Sequence, residues 1–175
     1  MASTKVVTGK VRFSYAHVFT PTSMDDGKDP KYNVSILIPK TDKATIKKIQ
    51  DAIELAKEEG KAKLGGKIPA TLKTPLRDGD SERPDDAAYA GHYFINANSA
   101  KKPGIVDKDM NAIISPEEFY SGCFGRASVN FYAYNVSGNK GIAAGLNNLQ
   151  KLEDGERLSG GSTAEDDFGG DDDLL

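Results

Sequence analysis

The residues best suited to chemistry lie on one face of a predicted strand in the last third of the chain. From Cys123 to Val136 apolar and polar residues alternate, the period of a β-strand with one buried and one exposed face. Aromatic rings can stack on bases and cations can contact phosphates, so the polar face fits single-stranded nucleic acid. The apolar face comprises Ala127, Val129, Phe131 and Ala133, and the polar face comprises Arg126, Ser128, Asn130, Tyr132 and Tyr134.

Basic and polar residues elsewhere in the chain extend this candidate site. Stacking is one interpretation of the two tyrosines, and the other is core packing, because aromatic residues on strands often face the core. No residue can be assigned to reading a ribose 2'-hydroxyl, so the sequence leaves the choice between DNA and RNA open. The residues expected to contact nucleic acid are Lys10, Arg12, Phe94, Asn96, Lys101, Lys102, Arg126, Asn130, Tyr132, Tyr134 and Lys140.

One segment has the spacing of a calcium-binding loop. Its potential ligands, at loop positions 1, 3, 5 and 12, are Asp107, Asp109, Asn111 and Glu118. Ala112 occupies the position where the sharp turn of such a loop needs glycine. We therefore expect a polar turn closed by side-chain hydrogen bonds, with no calcium.

The remaining candidates for metal or catalytic chemistry have simpler interpretations. The acidic cluster between Asp78 and Asp86 lies in a loop rich in proline and glycine, which favours a solvated loop over a magnesium site. His17, His92 and Cys123 lack the spacing of metal ligands. The chain has neither a Walker-type phosphate loop nor a serine nucleophile elbow. We expect a protein that is not an enzyme and needs no metal or cofactor.

Predicted strands and a single helix must position the candidate site. Alternation predicts strands over residues 5–19, 32–38, 92–98, 123–136 and 141–152, the last two forming a hairpin. In the first strand we expect Val7, Val11, Phe13 and Tyr15 on the buried face. An amphipathic helix is predicted from about Asp42 to Lys63, with Thr41 or Asp42 as its cap.

The order of these elements predicts the fold class. Residues 64–91 have no sustained periodicity, and irregular stretches of that length are usually functional or disordered. Strands do not alternate with helices, which argues against a parallel sheet. We expect a mainly β protein, an OB-fold-like small barrel with one inserted amphipathic helix and a disordered acidic tail.

The charge is divided unevenly along the chain. Residues 1–152 carry 22 basic and 17 acidic side chains, whereas residues 153–175 carry 1 basic and 9 acidic ones. Residues 159–175 have no lysine or arginine and little to bury, so we expect residues 1–158 to fold and 159–175 to be a disordered tail. Such a tail can be a solubility device, an internal competitor for a basic groove, or a ligand for partner proteins. The candidate partner-binding residues are Asp171, Asp172, Asp173, Leu174 and Leu175.

Composition excludes several other classes of protein. No apolar run approaches the roughly 18 residues of a membrane span, and the N-terminus lacks the apolar core of a signal peptide. A single cysteine cannot form an internal disulfide or a cysteine-rich zinc site. We expect a cytoplasmic protein without a membrane partner.

Five runs of the sequence resemble a phage-encoded family of single-stranded-DNA-binding proteins, long catalogued as a domain of unknown function. The runs are Thr8 to Tyr15, Thr74 to Asp80, Tyr89 to Ser99, Lys101 to Asp107 and Phe119 to Glu156. The resemblance implies an OB-type barrel that coats single strands without sequence preference in phage replication, recombination or repair. It also implies recruitment of replication or recombination proteins through the tail, which here ends in Leu174 and Leu175 where related tails typically end in an aromatic residue.

Two other functions remain open from the sequence. The chain could be a phage virion or assembly protein whose strands serve self-association, or an annealing or nuclease accessory factor that binds DNA together with a partner. Oligomeric state, site size and cooperativity leave no signal in the residues.

Overall fold

Strands predominate in residues 3–22, 30–69 and 72–158, which are the residues that the computed structural model describes. The strands are β1 (Lys5–Val7), β2 (Val11–Thr22), β3 (Lys31–Pro39), β4 (Arg77–Asp78), β5 (His92–Ser99), β6 (Gly104–Val106), β7 (Phe124–Val136) and β8 (Asn139–Glu153). The helices are α1 (Lys43–Glu59), α2 (Gly79–Glu82) and a 3-10 turn (Ala87–Tyr89). Among the described residues, no helix is both long and apolar enough to cross a bilayer.

Five strands close into a ring in the order β7, β2, β3, β5, β8 and back to β7. Neighbours in the ring are antiparallel except β5 and β8, which run parallel. The short strands β1, β4 and β6 attach beside β7, β5 and β8. A five-stranded closed sheet with one substantial helix is an OB-type barrel, so the predicted fold class is confirmed. The strands β4 and β6 and the four-residue α2 were missed, because they are too short to show a periodicity.

The core fills the barrel and continues under α1. Phe13, Ile36, Ile95 and Phe131 are fully or almost fully buried inside the ring. α1 buries its apolar stripe, including Ile49, against the same cluster. The inward and outward residues of β7 alternate as predicted, with its odd-numbered residues from 125 to 133 buried.

The helix α1 begins where predicted and ends earlier. The Asp42 carboxylate accepts hydrogen bonds from the backbone N–H and the hydroxyl of Thr45, at 3.1 and 2.7 Å. The helix ends at Glu59, four residues before the predicted Lys63. At Gly60 a Cβ would overlap the side chain of Ala133, so only glycine allows the end of α1 to approach β7 this closely.

The predicted strand over residues 5–19 is in fact two strands, β1 and β2. The ladder between β1 and β7 ends at Thr8. Its N–H still donates to the Ala127 carbonyl at 3.0 Å, but its hydroxyl, instead of its carbonyl, accepts from the Ala127 N–H at 3.0 Å. This break reverses the alternation, so Val6 is buried and Val7 is 42% exposed. Tyr15 also lies outside the core, 42% exposed, because a left-handed backbone (φ 48°) interrupts β2 there. Placing Val7 and Tyr15 on the buried face was therefore wrong.

Residues 72–91 are irregular, as predicted, but they cover part of the outer surface of the barrel. The ring of Tyr89 lies edge-on to Phe94, with centroids 5.0 Å apart, and the Tyr89 hydroxyl donates to Ser35 at 2.9 Å. Together with Leu37 these rings form a second, smaller apolar cluster outside β3 and β5. This part of the outer surface is closed to a ligand.

Replacing Phe131 by alanine tests the assignment of the inner face of β7. The Phe131 side chain is 1% exposed, and its loss should lower the free energy of unfolding by about 3 to 5 kcal/mol. Chemical denaturation measures the change. Val136→Ala on the same strand is the control, because Val136 is 64% exposed and its truncation should change stability little. A tolerated Phe131→Ala would show that the two faces of β7 are assigned the wrong way round.

Candidate nucleic-acid interface

The outer face of the β7–β8 hairpin presents two tyrosines opposite residues with little or no side chain. In the ladder Tyr134 is opposite Gly141, Tyr132 is opposite Ala143, and Asn130 is opposite Gly145. A Cβ built on Gly141 would lie 2.5 to 2.9 Å from three atoms of the Tyr134 side chain. A Cβ built on Gly145 would be 3.5 Å from the Tyr132 ring. Both rings therefore extend across the β8 backbone instead of standing away from the sheet.

This arrangement places both rings over the backbone of β8 and leaves them partly exposed. Tyr132 is 41% exposed, which is high for a tyrosine in the middle of a central strand. One residue separates Tyr132 from Tyr134 in the strand, so the two side chains lie on the same face, about 6 to 7 Å apart along the strand. A surface of this kind can carry successive unpaired bases.

The surface continues across β8 onto β5. Asn98 of β5 is aligned with Gly145 in a parallel pair and so points to the same side of the sheet. Asn96, two residues earlier on the same side, is exposed. We call the outer face formed by these residues the hairpin platform. Its members are Asn130, Tyr132 and Tyr134 of β7, Gly141, Ala143 and Gly145 of β8, and Asn96 and Asn98 of β5.

Asn98 was not among the predicted site residues. The alternation of β5 could have identified it, because Asn96 and Asn98 share a parity while the intervening Ala97 is buried. The register between β5 and β8, which places it beside the tyrosines, cannot be read from local sequence.

Two predicted lysines flank the β5 end of the hairpin platform. Lys101 and Lys102 follow directly after β5 and are exposed. The Lys101 N–H donates to the Ser99 hydroxyl at 3.0 Å, and the Lys102 ammonium lies 5.7 Å from the centre of the Phe19 ring. Both lysines therefore start close in the chain to the Asn98 edge of the platform.

Lys140 lies at the hairpin tip and has a structural contact. Its ammonium donates to the Leu64 carbonyl at 3.2 Å, and the Asn135 amide donates to the Lys63 carbonyl at 3.0 Å. These bonds fasten the tip to the turn that follows α1. The ammonium has further N–H groups with which it can contact an anion.

Arg126 and the two N-terminal cations lie at the other end of β7. Arg126 donates to the Thr8 carbonyl at 2.9 Å and is otherwise exposed. Arg12 donates to the carbonyls of Gly122 and Glu156, at 3.1 and 2.9 Å. Lys10 forms an ion pair with Glu153, and Lys10 and Arg12 both lie 5.2 Å from the centre of the Phe124 ring.

These three cations lie on the outer side of the barrel but not beside the tyrosines. Phe124 and Tyr132 have the same parity on β7, and eight residues of strand separate them by about 26 Å. The predicted set thus divides into the hairpin platform with its flanking lysines and a separate basic group around Phe124.

Phe94 is excluded from the interface by its packing. The side chain is 3% exposed, lies against Tyr89, and has the Arg77 guanidinium 5.8 Å from its ring centre. A ring enclosed on both sides has no face for a base. We therefore remove Phe94 from the candidate set.

The segments considered for metal binding are closed by the protein's own hydrogen bonds. The Asp107 carboxylate accepts from the backbone N–H groups of Asp109 and Asn111, at 2.8 and 3.0 Å, which confirms the predicted polar turn and lowers the pKa of Asp107. In the acidic loop, the Lys40 ammonium lies 2.8 Å from carboxylate oxygens of both Asp78 and Asp80. Its hydrogen bonds lower the pKa of each carboxyl.

Other acidic residues of this loop also have basic partners. Glu82 pairs with Arg77 at 2.9 Å, and Asp86 pairs with Arg83 at 3.3 Å. Cys123 is buried, and that burial raises the pKa of its thiol. Within the described ranges, no three acidic, histidine or cysteine side chains are grouped as metal ligands would be.

The ring topology and the aromatic platform define the class of this protein. An OB-type barrel with an outward-facing surface of tyrosines and asparagines, flanked by lysines, is the architecture of single-strand-binding barrels. The sequence model of the family described as Enterobacter phage Enc34, ssDNA-binding protein, matches residues 4–175. The chain belongs to this family.

Individual relatives agree with the family assignment. The chain is 30% identical over 167 residues to protein p50 of Acyrthosiphon pisum secondary endosymbiont phage 1, covering 91% of this chain and 89% of the relative. It is similar to the single-stranded DNA-binding protein from bacteriophage Enc34, solved in complex with ssDNA, with a TM-score of 0.78, 30% identity and 89% of each chain covered.

A more distant similarity concerns the fold alone. The single-stranded DNA binding protein encoded by bacteriophage T7 matches with a TM-score of 0.62 at 14% identity, covering 94% of this chain and 92% of that one. The predicted tail residues Asp171, Asp172, Asp173, Leu174 and Leu175 lie outside the residues that the structure describes.

Proposed function

We propose that this protein binds single-stranded DNA without sequence preference, with the hairpin platform as its stacking surface. The observation that carries the proposal is the pair of tyrosine rings spread across Gly141 and Gly145 on the outside of the barrel, in a chain that belongs to a family of single-stranded-DNA-binding proteins. Every base has a flat face, so stacking tolerates any sequence.

The residues around the tyrosines suit contacts with the sugar-phosphate backbone of a DNA strand. Asn96, Asn98 and Asn130 can donate to and accept from sugars, phosphates or bases without selecting one base type. Lys101 and Lys102 on one side and Lys140 on the other can contact phosphates. Arg126, Lys10 and Arg12 would contact only a strand long enough to follow β7 to its other end.

The biological role that follows is coating and protection of single strands during phage DNA replication, recombination or repair in the host cytoplasm. This role needs only binding and release of DNA, with no covalent bond made or broken. It therefore requires no enzymatic step and no cofactor. Self-association on DNA is compatible with it. Membership of a family of ssDNA-binding proteins favours this role over the alternative of a virion or assembly protein.

The acidic segment 159–175 extends the proposal to regulation. It carries six acidic and no basic side chains, and it is tethered to a barrel with several exposed lysines. A tethered polyanion is present near those lysines at high effective concentration, so it would compete with DNA phosphates. Its terminal Leu174 and Leu175, preceded by Asp171 to Asp173, could also bind replication or recombination proteins.

Binding should weaken steeply as salt rises. Phosphate contacts release condensed counterions, so with about four to six contacts the slope of log K against log salt should be about -3 to -4 for a single strand. Titration of oligo(dT) followed by tyrosine fluorescence measures it in a chain without tryptophan. Salt-insensitive binding, or equal affinity for duplex DNA, would contradict the proposal.

Loss of either platform ring should weaken DNA binding without unfolding the protein. Tyr132→Ala and Tyr134→Ala should each cost about 1 to 3 kcal/mol of binding free energy, the usual value for one stacked base. Filter binding with labelled oligo(dT) gives the affinity, and thermal melting shows whether the fold survives. Tyr32→Ala, outside the platform, is the matched control. Equal losses in all three variants would argue against a stacking role.

Truncation after Leu158 should tighten DNA binding, because it turns a net charge of -3 into +3 and removes the competitor. The gain should be larger at low salt, where charges are less screened. Leu174→Ala with Leu175→Ala is the charge-neutral control, which should leave DNA affinity unchanged while weakening capture of a replication partner. An unchanged affinity of the truncated chain at low salt would reduce the tail to a solubility device.

A further inference from the structure

Residues 60–76, of which the structure describes 60–69 and 72–76, carry charge of one sign only. This segment contains four lysines and no aspartate or glutamate. All four lysine side chains are exposed, and none forms an ion pair with another residue that the structure describes. The lysines are Lys61, Lys63, Lys67 and Lys73.

Several basic residues elsewhere on the barrel do have carboxylate partners. Lys40 and Arg77 are paired with carboxylates of the acidic loop, and Lys57 of α1 is paired with Glu54. Glu58 and Glu59 precede the segment at the end of α1 and reduce its charge only in part. Lysines without such partners are available to an external polyanion.

Hydrogen bonds to the hairpin hold the segment beside the platform. The Lys63 and Leu64 carbonyls accept from the side chains of Asn135 and Lys140 at the hairpin tip. Farther along, the Ile142 N–H donates to the Lys73 carbonyl at 2.9 Å. The two ends of the segment are thus attached to the same hairpin that carries the tyrosines.

The position of Lys73 relates the segment to the ring of Tyr134. Lys73 forms a parallel bridge with Gly141, and aligned residues in a bridge point to the same side of the sheet. Gly141 is in turn aligned with Tyr134, so the side chains of Lys73 and Tyr134 lie on one face, about 10 Å apart at two strand spacings. The Tyr134 ring extends over Gly141, which is the direction of Lys73.

We propose that Lys61, Lys63, Lys67 and Lys73 form a second, lysine-lined part of the DNA-binding surface, which takes the phosphates of the strand where it leaves the ring of Tyr134. The inference rests on the proposed function and adds to it a direction for the DNA. A strand stacked on Tyr132 and then Tyr134 continues over Gly141 to Lys73, and from there along the lysines of the turn after α1.

The test compares Lys73→Gln and the variant with all four lysines changed to glutamine against Lys48→Gln. Lys48 is an exposed lysine of α1 that forms no ion pair with a described residue, so it matches Lys73 in charge and exposure. Each lost phosphate contact should make the salt slope shallower by about 0.7, whereas Lys48→Gln should leave the slope unchanged. All three variants should melt at the wild-type temperature.

The length of the oligonucleotide separates this inference from the proposed function. With oligo(dT) of increasing length between about 4 and 16 nucleotides, the range that one OB barrel covers, the deficit of the lysine variants should grow as the strand becomes long enough to pass Tyr134. The wild-type protein could bind while the lysine variants match Lys48→Gln in affinity and salt slope at every length. That result would overturn the inference and leave the proposed function intact. Absence of wild-type binding would overturn both.

Discussion

Pairing between β7 and β8 is the interaction on which both the barrel and the proposed binding surface depend. The ladder runs from Phe124 opposite Glu153 to Val136 opposite Asn139. Pairing of β7 with β8 closes the ring of five strands. Because side chains alternate along a strand, one register places Phe131 in the core and Tyr132 on the surface. A slip of one residue would exchange them. The same set of backbone hydrogen bonds therefore fixes both the core and the proposed binding surface.

The glycines of β8 give this register its functional consequence. At Gly141 and Gly145 the sheet has no side chain to lift the tyrosine rings, so each ring lies across the neighbouring strand and stays partly exposed. Rings held in this way lose little conformational freedom when a base stacks on them. The lysines need no such precision, since a phosphate charge acts over several ångströms and tolerates flexible side chains. The structure accordingly places the two rings on a strand, and Lys61, Lys63, Lys67, Lys101 and Lys102 in turns and loops.

The sequence predicted what depends on local periodicity and missed what depends on partners. The alternation of β7, the Asp42 cap of α1 and the five-stranded barrel could all be inferred from residue patterns. Phe94 was misjudged because its strand is covered on the outside by Tyr89, a contact between distant segments. Lys10 and Arg12 looked available, but Glu153 and two backbone carbonyls hold them. Lys73 was overlooked because only its bridge to Gly141 shows that it belongs beside Tyr134.

Photocrosslinking of the full chain to oligo(dT), with the modified peptides identified by mass spectrometry, tests the central claim most directly. Ultraviolet light joins a base only to a side chain that it touches, so the position of the bond reports the stacking surface itself. We predict crosslinks on the β7–β8 hairpin at Tyr132 and Tyr134, lost when duplex DNA replaces the single strand. Crosslinks confined to Tyr15, Tyr120 or Phe124, with the hairpin unmodified, would contradict the account.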